Sequence, residues 1–101
     1  HLQSLLGLAN LEARANNFRK AVALYEKALK IDRGNVEIRH ALAQLHLQRR
    51  NYDAARVILK DIVLQDDKKA RVWYTWGMLE QSEGNFVQAL KLYCSGLKLK
   101  E

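Results

Sequence analysis

The 101-residue sequence has no proline, one cysteine and one methionine, and its five glycines are scattered. Without proline, breaks between structural elements must be made by polar residues and glycine. Cys94 has no partner within the chain, which excludes an internal disulfide framework and points to a reducing, intracellular compartment. No apolar run approaches the roughly 18 residues that a bilayer span requires, so no contact with a membrane is expected. The glycines form no phosphate-cradling loop, and no set of Cys, His and carboxylates has metal-ligand spacing. His40 and His46 lie six apart, which on a helix turns them to different sides. Ser4, Ser82 and Ser95 have no His and acid arranged about them in a recognisable pattern. No catalytic residue, metal or cofactor is therefore expected.

What is present is a chain that is 49% apolar, with 17 Lys and Arg against 11 Asp and Glu, a net charge of +6. A chain of this length makes one domain with a modest core, which leaves little room for a deep cleft beside a scaffold. The basic balance permits nucleic acid or an acidic partner without requiring either. The sequence opens at His1 with no initiator Met and no signal-like segment, so a piece of a longer array is expected.

The strongest signal is a period of 34 residues. Ala9, Leu11, Asn17, Phe18, Ala21, Leu24, Tyr25 and Leu29 are matched 34 residues on by Ala43, Leu45, Asn51, Tyr52, Ala55, Ile58, Leu59 and Val63. After a further 34 come Gly77, Leu79, Asn85, Phe86, Ala89, Leu92, Tyr93 and Leu97, with no insertion or deletion. Self-similarity at such a period marks a repeat architecture. The units fall at about 1–34, 35–68 and 69–101.

Within each unit the apolar residues recur at helical spacing in two halves, as in Leu5, Leu8, Ala9 and Leu11, then Phe18, Ala21, Tyr25, Ala28 and Leu29. The pattern predicts helices over 2–15, 18–31, 36–49, 52–65, 70–83 and 86–99. Asn17, Asn51 and Asn85 stand where a side-chain oxygen would cap the second helix of each pair, while Gly34-Asn35 and Asp66-Asp67 mark the breaks between units. Ala9, Ala43 and Gly77 should face Ala21, Ala55 and Ala89 at a close helix contact, with Phe18, Tyr52 and Phe86 filling the space beside them. One hairpin cannot bury both its faces, so the pairs must stack. The expected fold is all-α, a solenoid of six antiparallel-paired helices.

Helix pairs of 34 residues, small at positions 9, 21 and 28, resemble the tetratricopeptide (TPR) repeat. The third copy is similar to its relative, the half-a-TPR (HAT) repeat, through Trp73, Trp76 and Glu80 followed by the Gly84-Asn85 turn; Ala55-Arg56 matches the Ala-Arg pair of the second HAT helix. The resemblance implies a right-handed superhelix whose first helices line a concave groove for a peptide or helical segment of a partner protein. It also implies a scaffold in a multi-subunit assembly, with HAT proteins belonging to RNA processing in the nucleus or in organelles. An RNA-binding solenoid that stabilises transcripts is the alternative. TPR arrays that clamp a chaperone's C-terminal carboxylate do so from columns that hold Leu6, Asn10, Ala41, Arg71 and Thr75 here, of which only Asn10 and Arg71 keep a suitable side chain.

By this architecture Asn10, Arg14, Glu37, His40, Gln44, Arg71, Tyr74, Met78 and Gln81 should line the groove. Tyr74 is the candidate anchor for a partner side chain or a base. Glu12 and Glu80, at the buried edge of their helices, should accept hydrogen bonds that fix how helices dock, and His46, in the same column, should be a polar partner within its pair. Trp73 and Trp76 occupy apolar columns and belong to the core, whereas Cys94 shares an exposed column with Glu26 and Lys60. Leu97 and Leu99 leave an apolar end, where further repeats or self-association are expected. First halves with their closing turns carry five basic residues against four acidic, and second halves nine against three. Any acidic partner is thus expected on the outer, second-helix layer.

Overall fold

The computed structural model describes residues 1–100, with side chains through Leu99, and consists of three helical hairpins. The helices are α1 (Leu2–Arg14), α2 (Phe18–Ile31), α3 (Val36–Gln48), α4 (Tyr52–Gln65), α5 (Ala70–Ser82) and α6 (Phe86–Lys100). Each packs on its chain neighbours and α3 also touches α5, so the pairs stack into a solenoid of 39 × 25 × 19 Å.

All six helices begin where the period predicts; α6 runs one residue past its predicted end, and α1, α3 and α5 end one residue early. The cause lies in the turns. Asn16, Arg50 and Gly84, spaced 34 apart, have φ of 65°, 60° and 85°, the left-handed conformation that reverses the chain within three residues. Only the third copy places there the residue that adopts this φ without strain. Asn17 and Asn51 are N-cap residues, yet neither side chain caps its helix. Instead, the amide of Asn17 donates to Glu12 at 2.8 Å, that of Asn85 to Glu80 at 2.8 Å, and that of Asn51 meets His46 Nδ1 at 3.4 Å. The repeated Asn thus ties a turn back to the preceding helix, because the reversed chain aims its amide there. Between units, Asn35 Oδ1 accepts from the N–H of Ile38 at 3.1 Å and caps α3. Asp67 caps nothing; its carbonyl oxygen accepts from the Trp73 indole at 2.8 Å.

The core forms at the junctions between pairs. One cluster joins Ala9, Ala21, Tyr25 and Ala28 of the first pair to Ile38, Leu42 and Leu45 of α3. Another joins Ala43, Ala55, Leu59 and Ile62 of the second pair to Val72 and Leu79 of α5. The fully buried Ala9, Ala21, Ala43 and Ala55 let backbones approach closely. At Gly77 a Cβ would lie 2.6 Å from the Tyr93 ring. Phe18 and Tyr52 are half-buried, Phe18 under the Arg49 guanidinium at 4.5 Å from its ring centroid. Phe86 departs from the expectation and is exposed, since no helix of the described residues lies over it. Trp73 and Trp76 stack with centroids 6.1 Å apart and are half-buried.

Candidate functional site

The first helices α3 and α5 are buried on most sides, α1 less so, and all three share one exposed stripe. Gln3, Glu37 and Arg71 are exposed in all three units, as are Asn10, Gln44 and Met78, and Arg14, Gln48 and Ser82. Their spacing of seven and four residues puts them on one face of each helix. The stripe therefore brings together Asn10, Arg14, Glu37, Gln44, Arg71 and Met78 from the expected set. It is rich in amides, which both donate and accept. Its charges offset each other, for Glu37 lies 3.5 Å from Arg71 and 3.8 Å from Lys69. Gln3 and Gln48 escaped the sequence reading, although the register holds the signal: Gln3 stands 34 before Glu37, and Gln48 stands 34 after Arg14.

Three candidates differ. His40 is not in the groove: it is 3% exposed, with Nε2 2.7 Å from Thr75 Oγ1. Thr75 donates to the Arg71 carbonyl at 3.0 Å, so its oxygen accepts and the His40 Nε2 carries the proton. Burial, then the nearby Arg71 charge, hold the His40 pKa below the ordinary histidine value, with Glu37 acting the other way. The column of His40 lies where one first helix meets the next, and α5 covers it. Tyr74, one unit on in that column, is exposed, its ring 5.6 Å from that of Tyr93. Gln81 is exposed but accepts from the Tyr93 hydroxyl at 2.8 Å, which ties it to α6.

The most strongly bonded group is outside the stripe. Glu80, buried at the α4–α5 junction, accepts from Arg56 Nε at 2.8 Å, the Trp76 indole at 3.1 Å and the Asn85 amide. Arg56 also pairs with Glu83 and, at 3.1 Å, with Asp53. The Arg56 hydrogen bond, then those of Asn85 and Trp76, hold the Glu80 carboxyl below its usual pKa against the opposing effect of burial. With every bond internal, Glu80 locks helices together, as its column suggests. Among the described residues no three of His, Cys, Asp and Glu gather to hold a metal, and no helix is long and apolar enough to cross a membrane. Cys94 is a free, exposed thiol.

Stacked helix pairs with an exposed first-helix stripe define a helical-repeat scaffold. The tetratricopeptide repeat family model matches residues 5–75, and the chain belongs to that family. No curated protein matches the sequence. Among solved structures, the Yersinia enterocolitica type III secretion translocator chaperone SycD superposes with a TM-score of 0.91 at 16% identity, over 97% of this chain and 73% of SycD. The second TPR of Spaghetti (RPAP3), bound to the HSP90 peptide SRMEEVD, gives 0.83 at 17% identity, over 97% of this chain and 91% of its own. MamA gives 0.88 at 12% identity over 99% of this chain, which spans 58% of MamA. These identities establish a shared fold.

Proposed function

We propose that this chain is a non-catalytic protein-interaction scaffold whose first-helix stripe holds an extended peptide or a helix from a partner protein within a larger assembly. The observation that carries the reading is the stripe itself, exposed in all three units, mostly polar and near-neutral along its length. Amides there suit the backbone of a bound segment, and Met78, with Tyr74 beside it, supplies apolar anchorage. A carboxylate clamp of the chaperone-tail kind is disfavoured, since Leu6 and Ala41 are half-buried aliphatics and Thr75 is buried against His40.

Single-stranded RNA, as bound by HAT-type solenoids, is the second reading. It draws on the outer layer, where among the described residues Arg19, Lys20, Lys27, Lys30, Lys60, Lys91 and Lys98 make no ion pair. Selecting displayed random peptides on the chain, then measuring them by fluorescence anisotropy, separates the two. Selected peptides should lose roughly tenfold in affinity, about 1.4 kcal/mol, on Met78→Asp and change little with salt. No selectable peptide, together with RNA binding that weakens steeply with salt, would sink the peptide reading.

A further inference from the structure

The two junctions inside the array are built alike and charged oppositely. Where the second pair meets the third, Arg56 of α4 is ringed by Asp53, Glu80 and Glu83 and pairs with each of them. The same place one unit earlier, between the first pair and the second, holds other residues in every one of these columns. Val22 stands for Arg56, Arg19 for Asp53, His46 for Glu80 and Arg49 for Glu83. One cation among three carboxylates is thus replaced by two guanidinium groups and an imidazole, with no carboxylate in the four positions. Among the described residues Arg19 and Arg49 make no ion pair, nor does the adjoining Lys20.

This place is also open. Clefts of about 290 and 350 Å³ share Phe18, Arg19 and Arg49 as walls, with His46 and Val22 in the first and Lys20 in the second. Arg49 lies over the Phe18 ring at 4.5 Å from its centroid, which holds the guanidinium flat and leaves its N–H edge to an acceptor. We infer that this notch receives carboxylate side chains of an acidic segment of a partner protein, which supply from outside the anions that the next junction carries itself. Carboxylate is the fitting anion because the same fold gathers three of them around a guanidinium one unit on. The clefts on either side of Arg49 suit two successive acidic side chains. Glu26 is the carboxylate that lines the smaller cleft, and Arg19, Lys20 and Arg49 outweigh it. Both walls belong to neighbouring units within the chain, so repeats stacked at either end would leave the notch open. It shares no residue with the first-helix stripe and stands apart from the peptide reading.

Fluorescence anisotropy with a fluorescein-labelled hexaglutamate peptide at low salt tests the inference. Affinity should fall about tenfold in Arg49→Glu and in Arg19→Asp, which copy the second junction, because each removes a charge-assisted donor. Lys60→Glu changes the net charge by the same amount elsewhere on the outer layer and should cost no more than about twofold. Glu26→Gln should tighten binding, a gain that misfolding cannot produce. Arg19, Arg49 and Lys60 are all exposed, and unchanged helical circular dichroism verifies folding. Equal losses in Arg49→Glu and Lys60→Glu would reduce the binding to net charge and overturn the inference, as would no binding at low salt. An oligouridine RNA that binds more tightly than hexaglutamate, and is lost in the same Arg variants, would also overturn it.

Discussion

At the scale of single residues, copies that look alike in sequence solve the same steric problem with different side chains. The left-handed turn position is Asn16, Arg50 and Gly84 in successive units. Arg50→Gly should therefore raise the unfolding free energy by about 1 kcal/mol in urea titration, and Gly84→Ala should lower it by a similar amount. Gly77 presents the opposite case. Its column holds Ala9 and Ala43, and alanine favours a helix by about 1 kcal/mol, yet here a Cβ would collide with Tyr93. Gly77→Ala should cost about 1–3 kcal/mol of packing, seen as a lower melting temperature, and adding Tyr93→Leu, the residue found at Leu59, should restore it. The glycine was legible as a small residue in register, but the close approach of the Tyr93 ring was not, because Ala9 and Tyr25 share those two columns in the first unit.

At the scale of elements, the six helices were readable because each keeps an apolar stripe of period 3.6 inside a register of 34. What joins them was less readable. The Asn of each turn looked like a helix cap, and only the reversed backbone shows that its amide turns back to Glu12, His46 or Glu80. His40 looked like a groove residue because the sequence does not show that α5 covers its column. Its burial has a consequence in solution. The folded state holds His40 less basic than the unfolded chain does, so the unfolded chain binds the proton first as pH falls below the ordinary value of 6.5, and stability declines there. The melting temperature should drop through this window on acidification. In His40→Leu, which copies Leu6, the slope should flatten, since Thr75 keeps its bond to the Arg71 carbonyl.

For the whole molecule, stability is distributed along a line of junctions, not around one centre. Buried residues number five in α3 and five in α5, but α1 buries Ala9 alone. Amides of α1 should accordingly exchange with solvent sooner than those of α3 and α5 in native-state hydrogen exchange, and equal protection would contradict a junction-built stability. The charge follows the same layering. The helices α1, α3 and α5 balance Arg14, Arg39 and Arg71 against Glu12, Glu37 and Glu80, so the basic excess lies on the second helices and in the turns.

The repeat, the helices, the close-packing columns and the family follow from the order of residues alone, because periodicity and residue size act locally. Which face of each helix is covered follows only from how the pairs stack, since exposure depends on what the neighbouring pair places over it. That is why Leu11 and Leu45, or Leu97 and Val63, read alike in register yet differ in exposure, and why His40 and Tyr74, in one column, end up buried and open.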